Sequence, residues 1–159
     1  MSAVLQPAAV VAFPSRDFFA ALAERMNVNR ARQEQLGYID CTAVFSISDA
    51  GDAGAGRHFR VVFEEFSALA VDEVGADEAA AADFALAGSL ATWRAMLESI
   101  VAGKGRPALE QTLNYLSHLG TPLKLVAADP LQADLYFRYN QSLQEFFNAA
   151  CTLDIRYAA

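Results

Sequence analysis

The chain predicts an α+β fold, with helices packed on a mostly antiparallel sheet of four to five strands. Three observations lead there. Apolar residues alternate with period two over "YIDCTAVFSIS" and "HFRVVFEEFSALAV", the spacing of half-buried strands. They recur at helical spacing after Pro14, after Ser89 and after Pro130, the pattern of amphipathic helices. The two kinds of segment are interleaved, with a hairpin early in the order. At 159 residues the length suits a single core, so residues 1–14 read as an N-terminal extension and 15–159 as one domain.

Each element has its own signals. Ser15 caps a first helix, "SRDFFAALAERMNVNRARQEQL", that turns Phe18, Phe19, Leu22 and Met26 to one side and stops at Gly37. In the strand that follows, Ile39, Cys41, Ala43, Phe45 and Ile47 share a face. The glycine-rich linker "DAGDAGAGR" joins it to a second strand bearing Phe59, Val61 and Phe63, a natural hairpin. "DEVGADEAAAAD" reads as a solvated connection, a loop or a short helical turn. A third strand, "DFALAGS", runs into a helix capped by Ser89 that presents Leu90, Trp93, Met96, Leu97, Ile100 and Val101 and ends at Gly103. Pro107 starts another helix with Leu109, Leu113, Leu116 and Leu119 inward and Gly120 as its stop. Leu123 and Leu125 make a short fourth strand. Leu131, Leu135, Tyr139, Leu143 and Phe146 then lie on one last helical face, and "CTLDIRY" alternates as a fifth strand.

Charge and composition exclude whole classes. A net charge of -7 and a pI near 4.7 argue against nucleic acid, whose binding rests on Lys and Arg neutralising phosphates, and against an anionic membrane surface. The cations Arg25, Arg30 and Arg32 cluster late in the first helix, where they complement its dipole. Cys41 and Cys151 have no CxxC and no metal-ligand spacing, so both read as reduced thiols and no metal or cofactor is expected. No run of apolar residues is long enough for stable membrane insertion, and the N-terminus lacks the basic region of a signal peptide. A cytoplasmic location is expected.

Catalytic signals are thin. His58 opens a strand and His118 closes a helix; neither has the partners of a catalytic set. "DAGDAGAG" lacks the ligand spacing of a calcium loop and "AGAGRH" is no dinucleotide fingerprint. The Gly88-Ser89 turn has one glycine and no Lys or Arg in the four residues before it, so it reads as a helix cap more than as a phosphate cradle. Two alternatives to a binding protein stand. Asp40 with Glu64 or Glu65 could supply the carboxylate base of a small isomerase or hydratase, and the apolar tail "CTLDIRYAA" could pair edges in a homodimer or other interaction module.

The order of elements resembles the sterol carrier protein 2 family of lipid-binding domains. The strand, turn and tryptophan helix of "FALAGSLATWRAML", the glycine-bounded "AGKGRPALEQTLNYLSHLG", and "TPLKLVAADPLQADLYF" with Gly120, Lys124 and Asp129 carry the likeness, which spans about residues 36 to 150. The resemblance implies a five-stranded mixed sheet covered by helices around an apolar cavity. It implies non-catalytic binding and transfer of a fatty acid, acyl-CoA or sterol-like molecule. By the same resemblance Phe84, Leu86, Trp93, Leu97, Leu116, Leu143, Phe146 and Phe147 would line or border the tunnel. "RYAA" is no peroxisomal address, which favours a bacterial-type stand-alone member.

Overall fold

The computed structural model describes residues 9–48, 56–118 and 122–158. Most of the linker "DAGDAGAGR", together with Leu119 and Gly120, lies outside them.

The alternating segments form one five-stranded sheet. Its strands are β2 (Cys41–Ser48), β3 (Arg57–Glu64), β4 (Ser67–Val74), β5 (Phe84–Ser89) and β6 (Lys124–Val126), in the spatial order β4-β3-β2-β5-β6. All neighbours are antiparallel except β2 and β5, which run parallel. That pairing requires a crossover, and the chain makes it through β3, β4 and the short α3 (Ala76–Ala80). A separate two-stranded parallel sheet joins β1 (Ala9–Phe13) to β7 (Leu153–Tyr157). The fifth strand expected from "CTLDIRY" is therefore present, but it pairs with residues assigned from the sequence to an extension.

Register puts one set of side chains on each face of the sheet. Phe45 opposes Phe59 on β3 and Leu86 on β5, and Ala43 opposes Val61 and Phe84. All of these are buried. Helices α1 (Arg16–Val28), α4 (Leu90–Ala102) and α7 (Asn140–Asn148) cover that inner face. Phe19 stacks on both Phe45 and Phe59, at 5.5 and 4.9 Å between ring centroids, while Phe147 meets Phe45 edge-on at 4.9 Å. Offset and edge-to-face pairs of this kind add to area burial.

Five expectations are corrected. The first helix breaks at Asn29 into α1 and α2 (Arg30–Leu36), because the apolar stripe ends at Met26 and asparagine leaves the helical region readily. The long second strand is a hairpin, β3-β4, turning at Glu65, whose φ is 57°. The helix after Pro107 shrinks to a 3-10 turn at Leu109–Gln111 and to α5 (Leu113–Ser117), which Thr112 caps. Leu109, expected inward, is exposed. The helix after Pro130 is two, α6 (Pro130–Arg138) and α7, broken at Tyr139, with Leu131 exposed instead of inward. Val101, placed on the buried stripe of α4, is also exposed.

Candidate ligand-binding cleft

The strand-to-helix passage at residues 84–102 is built as its residues dictate. Ser89 Oγ accepts from the Thr92 N–H at 3.1 Å, the N-cap expected of it. Trp93, one turn into α4, donates its indole N–H to the Ser46 carbonyl at 3.1 Å, tying the helix to the central strand. Gly88 allows this close approach: a Cβ there would lie 2.5 Å from Leu123 Cδ2 and 3.4 Å from Trp93 Nε1.

The eight residues named from the resemblance fall in one buried cluster. Phe84 and Leu86 lie on β5, Trp93 and Leu97 on α4, Leu116 on α5, and Leu143, Phe146 and Phe147 on α7. Rings fill the interval between sheet and helices there. Trp93 packs 5.6 Å from Phe147 and 6.1 Å from Phe45, and Phe146 meets Phe63 edge-on at 5.2 Å.

An apolar concavity lies on the other side of the sheet. Alternation sends Ser46, His58, Ala85 and Ala87 outward, and α3 and the segment after β6 rise beside them. Together they enclose a cleft of about 470 Å³, within the range of small-molecule sites. Eight of its twelve lining residues are alanines: Ala76, Ala79, Ala80, Ala82, Ala85, Ala87, Ala127 and Ala128. Methyl groups make an apolar wall without filling the space behind it, and the volume follows from that. Phe84 borders both the cleft and the core. Sequence reading passed over this site because alanines next to acidic residues look like a solvated connector; the pairing of "EAAAAD" with outward alanines of β5 was the available signal.

One polar feature interrupts the wall. Ser46 Oγ and His58 Nδ1 are 2.7 Å apart, a cross-strand pair in register. A hydroxyl beside an imidazole could serve a nucleophile. Here both residues sit within ladders paired on each side, so the backbone N–H groups are engaged and offer no oxyanion hole. The pair can orient a carboxyl or hydroxyl group, as a polar handle in an apolar site. Asp40, Glu64 and Glu65, the carboxylates of the isomerase reading, are all exposed. They line none of the five clefts described for the molecule. His118 is exposed at the end of α5. Burial pushes the Cys41 thiol up to about 12, an inert core sulfur.

The chain is thus a five-stranded sheet of mixed pairing, covered by helices on one face, with an alanine-lined cleft on the other. Over most of the chain it superposes on two solved proteins. Sterol carrier protein 2 matches with a TM-score of 0.63 at 20% identity, over 87% of this chain and 97% of that one. A protein of Thermus thermophilus, for which a sterol carrier role is suggested, matches with a TM-score of 0.60 at 18% identity, over 87% and 89%. The chain has the fold of the sterol carrier protein 2 domains. No protein-family model matches the chain, and no curated protein matches it significantly. Among the described residues no helix is long and apolar enough to cross a membrane.

Proposed function

We propose that the protein binds and transfers a hydrophobic small molecule, a fatty acyl or sterol-like compound, seated in the alanine-lined cleft. The observation that carries this reading is the cleft itself: about 470 Å³ bounded mainly by methyl groups, with Ser46 and His58 as its polar end. The fold supports it, since the matched solved proteins carry sterol carrier names. Burying about ten methylenes releases roughly 8 kcal/mol gross, close to micromolar affinity before ordering costs. An open cleft covers less of the chain, so the expected dissociation constant is on the order of 10–100 μM.

A second seat for the same cargo is favoured by the helix break at Tyr139. There α6 and α7 could part from the sheet, and the cargo would lie against Leu86, Trp93, Leu97, Leu116, Leu143, Phe146 and Phe147, with Phe84 at the boundary. Titration with a fluorescent fatty acid separates the seats. Saturable uptake by the native protein that weakens by about tenfold in Ala87→Phe, a substitution that fills the outer cleft, is the expected result. Equal uptake by both proteins, with Trp93 emission quenched by a tail-brominated fatty acid, would move the cargo inside. No saturable uptake would overturn both seats.

A further inference from the structure

We propose that a second cleft, at the opposite side of the helical layer, binds a phosphate-bearing small molecule. The C-terminal turn of α1, α2, the loop after α4 and the end of α7 enclose about 890 Å³. Of the 12 Lys and Arg residues in the chain, four line this one space: Arg25, Arg32, Lys104 and Arg106. Glu145 is the one acidic residue among the lining, so the wall carries a net charge of about +3 in a molecule of -7.

Among the described residues three of these four cations, Arg25, Lys104 and Arg106, have no carboxylate partner, a state that Arg16, Lys124 and Arg138 share elsewhere in the chain. Arg30, Arg57, Arg60, Arg94 and Arg156 each lie within 4 Å of a carboxylate. Arg32 is held in place by Glu145 at 3.4 Å. Unpaired cations on a concave wall concentrate positive potential and attract anions.

One further feature points to a ligand. Gln33 lines the cleft, is 2% exposed, and has a buried Oε1 with no hydrogen-bond partner. An unsatisfied buried carbonyl oxygen is costly in a folded chain, and because it is an acceptor, a ligand that answers it brings a donor, such as the hydroxyl of an organic phosphate, beside its anion. The loop carrying Lys104 and Arg106 is also tightly built. Lys104 adopts φ 54°, and a Cβ at Gly103 would fall 1.9 Å from the Arg106 carbonyl oxygen. This left-handed residue follows the Gly103 cap and ends α4, whose Ile100 carbonyl accepts from the Gly105 N–H at 2.8 Å.

The cations favour phosphate. Guanidinium forks match its oxygens bidentately, and three or four positive groups suit a multiply charged anion better than a single carboxylate. The phosphate can belong to a free organic phosphate or to a lipid headgroup, and both present the same oxyanion.

Calorimetric titration with inorganic pyrophosphate at low salt tests the free form. Co-sedimentation with phosphatidylcholine vesicles containing phosphatidylglycerol tests the headgroup. Saturable pyrophosphate binding that falls by about tenfold in Arg25→Gln and in Arg106→Gln, weakens with salt and is unchanged in Arg156→Gln supports the proposal with a free ligand. Vesicle binding lost in the same two variants supports it with a headgroup. Absence of binding to either probe, or binding that survives both substitutions, overturns it. Circular dichroism of each variant confirms that the fold is intact.

Discussion

Gly88 shows how one residue can be read correctly for an incomplete reason. The sequence identifies the turn before Trp93 as a cap, and Ser89 does cap α4. Gly88 has a different task, because any side chain there collides with Leu123, which is fully buried, and crowds the Trp93 indole. Gly88→Ala is therefore expected to destabilise the protein by about 1–3 kcal/mol through overpacking. Urea unfolding measures this, and an unchanged midpoint would show that Leu123 moves aside freely. A second residue-scale effect depends on pH. Two hydrogen bonds from Arg57, at 2.8 and 2.7 Å, hold the Glu73 carboxyl below its ordinary value, against the opposing effect of partial burial. Because the folded carboxyl titrates below the unfolded one, this contribution is complete above the ordinary value of 4.5 and is lost as pH falls through the lowered folded value. The pair is about a third exposed, so its worth is under about 1 kcal/mol. Arg57→Gln is expected to cost more stability at pH 7 than at pH 3; equal costs at the two values would remove the linkage.

At the scale of elements, alternation made the inner face of the sheet legible. Ala43, Phe45, Ile47, Phe59, Val61, Phe63, Phe84 and Leu86 all lie where period two placed them. The breaks were harder to read. The β3-β4 turn uses Glu65 in the left-handed region without the Gly or Asn that usually marks a two-residue hairpin, so the two strands look like one. Tyr139 ends α6 and is itself mostly buried; nothing in its side chain announces a stop, and packing decides the break. The strand at Ala9–Phe13 was hidden because its partner, Leu153–Tyr157, is at the other end of the chain. Phe13 is fully buried against Phe18, with ring centroids 4.8 Å apart, and its carbonyl accepts from the Ala158 N–H at 2.9 Å. Phe13→Ala is expected to cost about 3–5 kcal/mol. A loss under about 1 kcal/mol in denaturant unfolding would show that the β1-β7 ribbon is dispensable.

For the whole molecule, the two faces of the sheet do different work. The helix-covered face carries a packed aromatic cluster among the described residues. On the outer face, alanines from α3, β5 and the segment after β6 leave a trough. The fold was legible from element order, which survives when sequence identity has fallen to 18–20%. The basic cleft was illegible because it is assembled from residues far apart in the chain, and the alanine cleft because its main segment, residues 76–87, looks like a solvated connector running into a strand. Arg25 and Arg32 meet Lys104 and Arg106 only after the helices dock. Ala79 and Ala127 face a common space only because β5 lies between β2 and β6. A hydrophobic cargo seated in the outer trough is best tested by amide chemical-shift mapping during NMR titration with a medium-chain fatty acid, since the method locates the seat even when binding is weak. Saturable shifts concentrated in Ala76–Ala80, Phe84–Ser89 and residues 126–128 are expected. No saturable shifts, or shifts confined to α6, α7 and the helix-covered face, would contradict that seat.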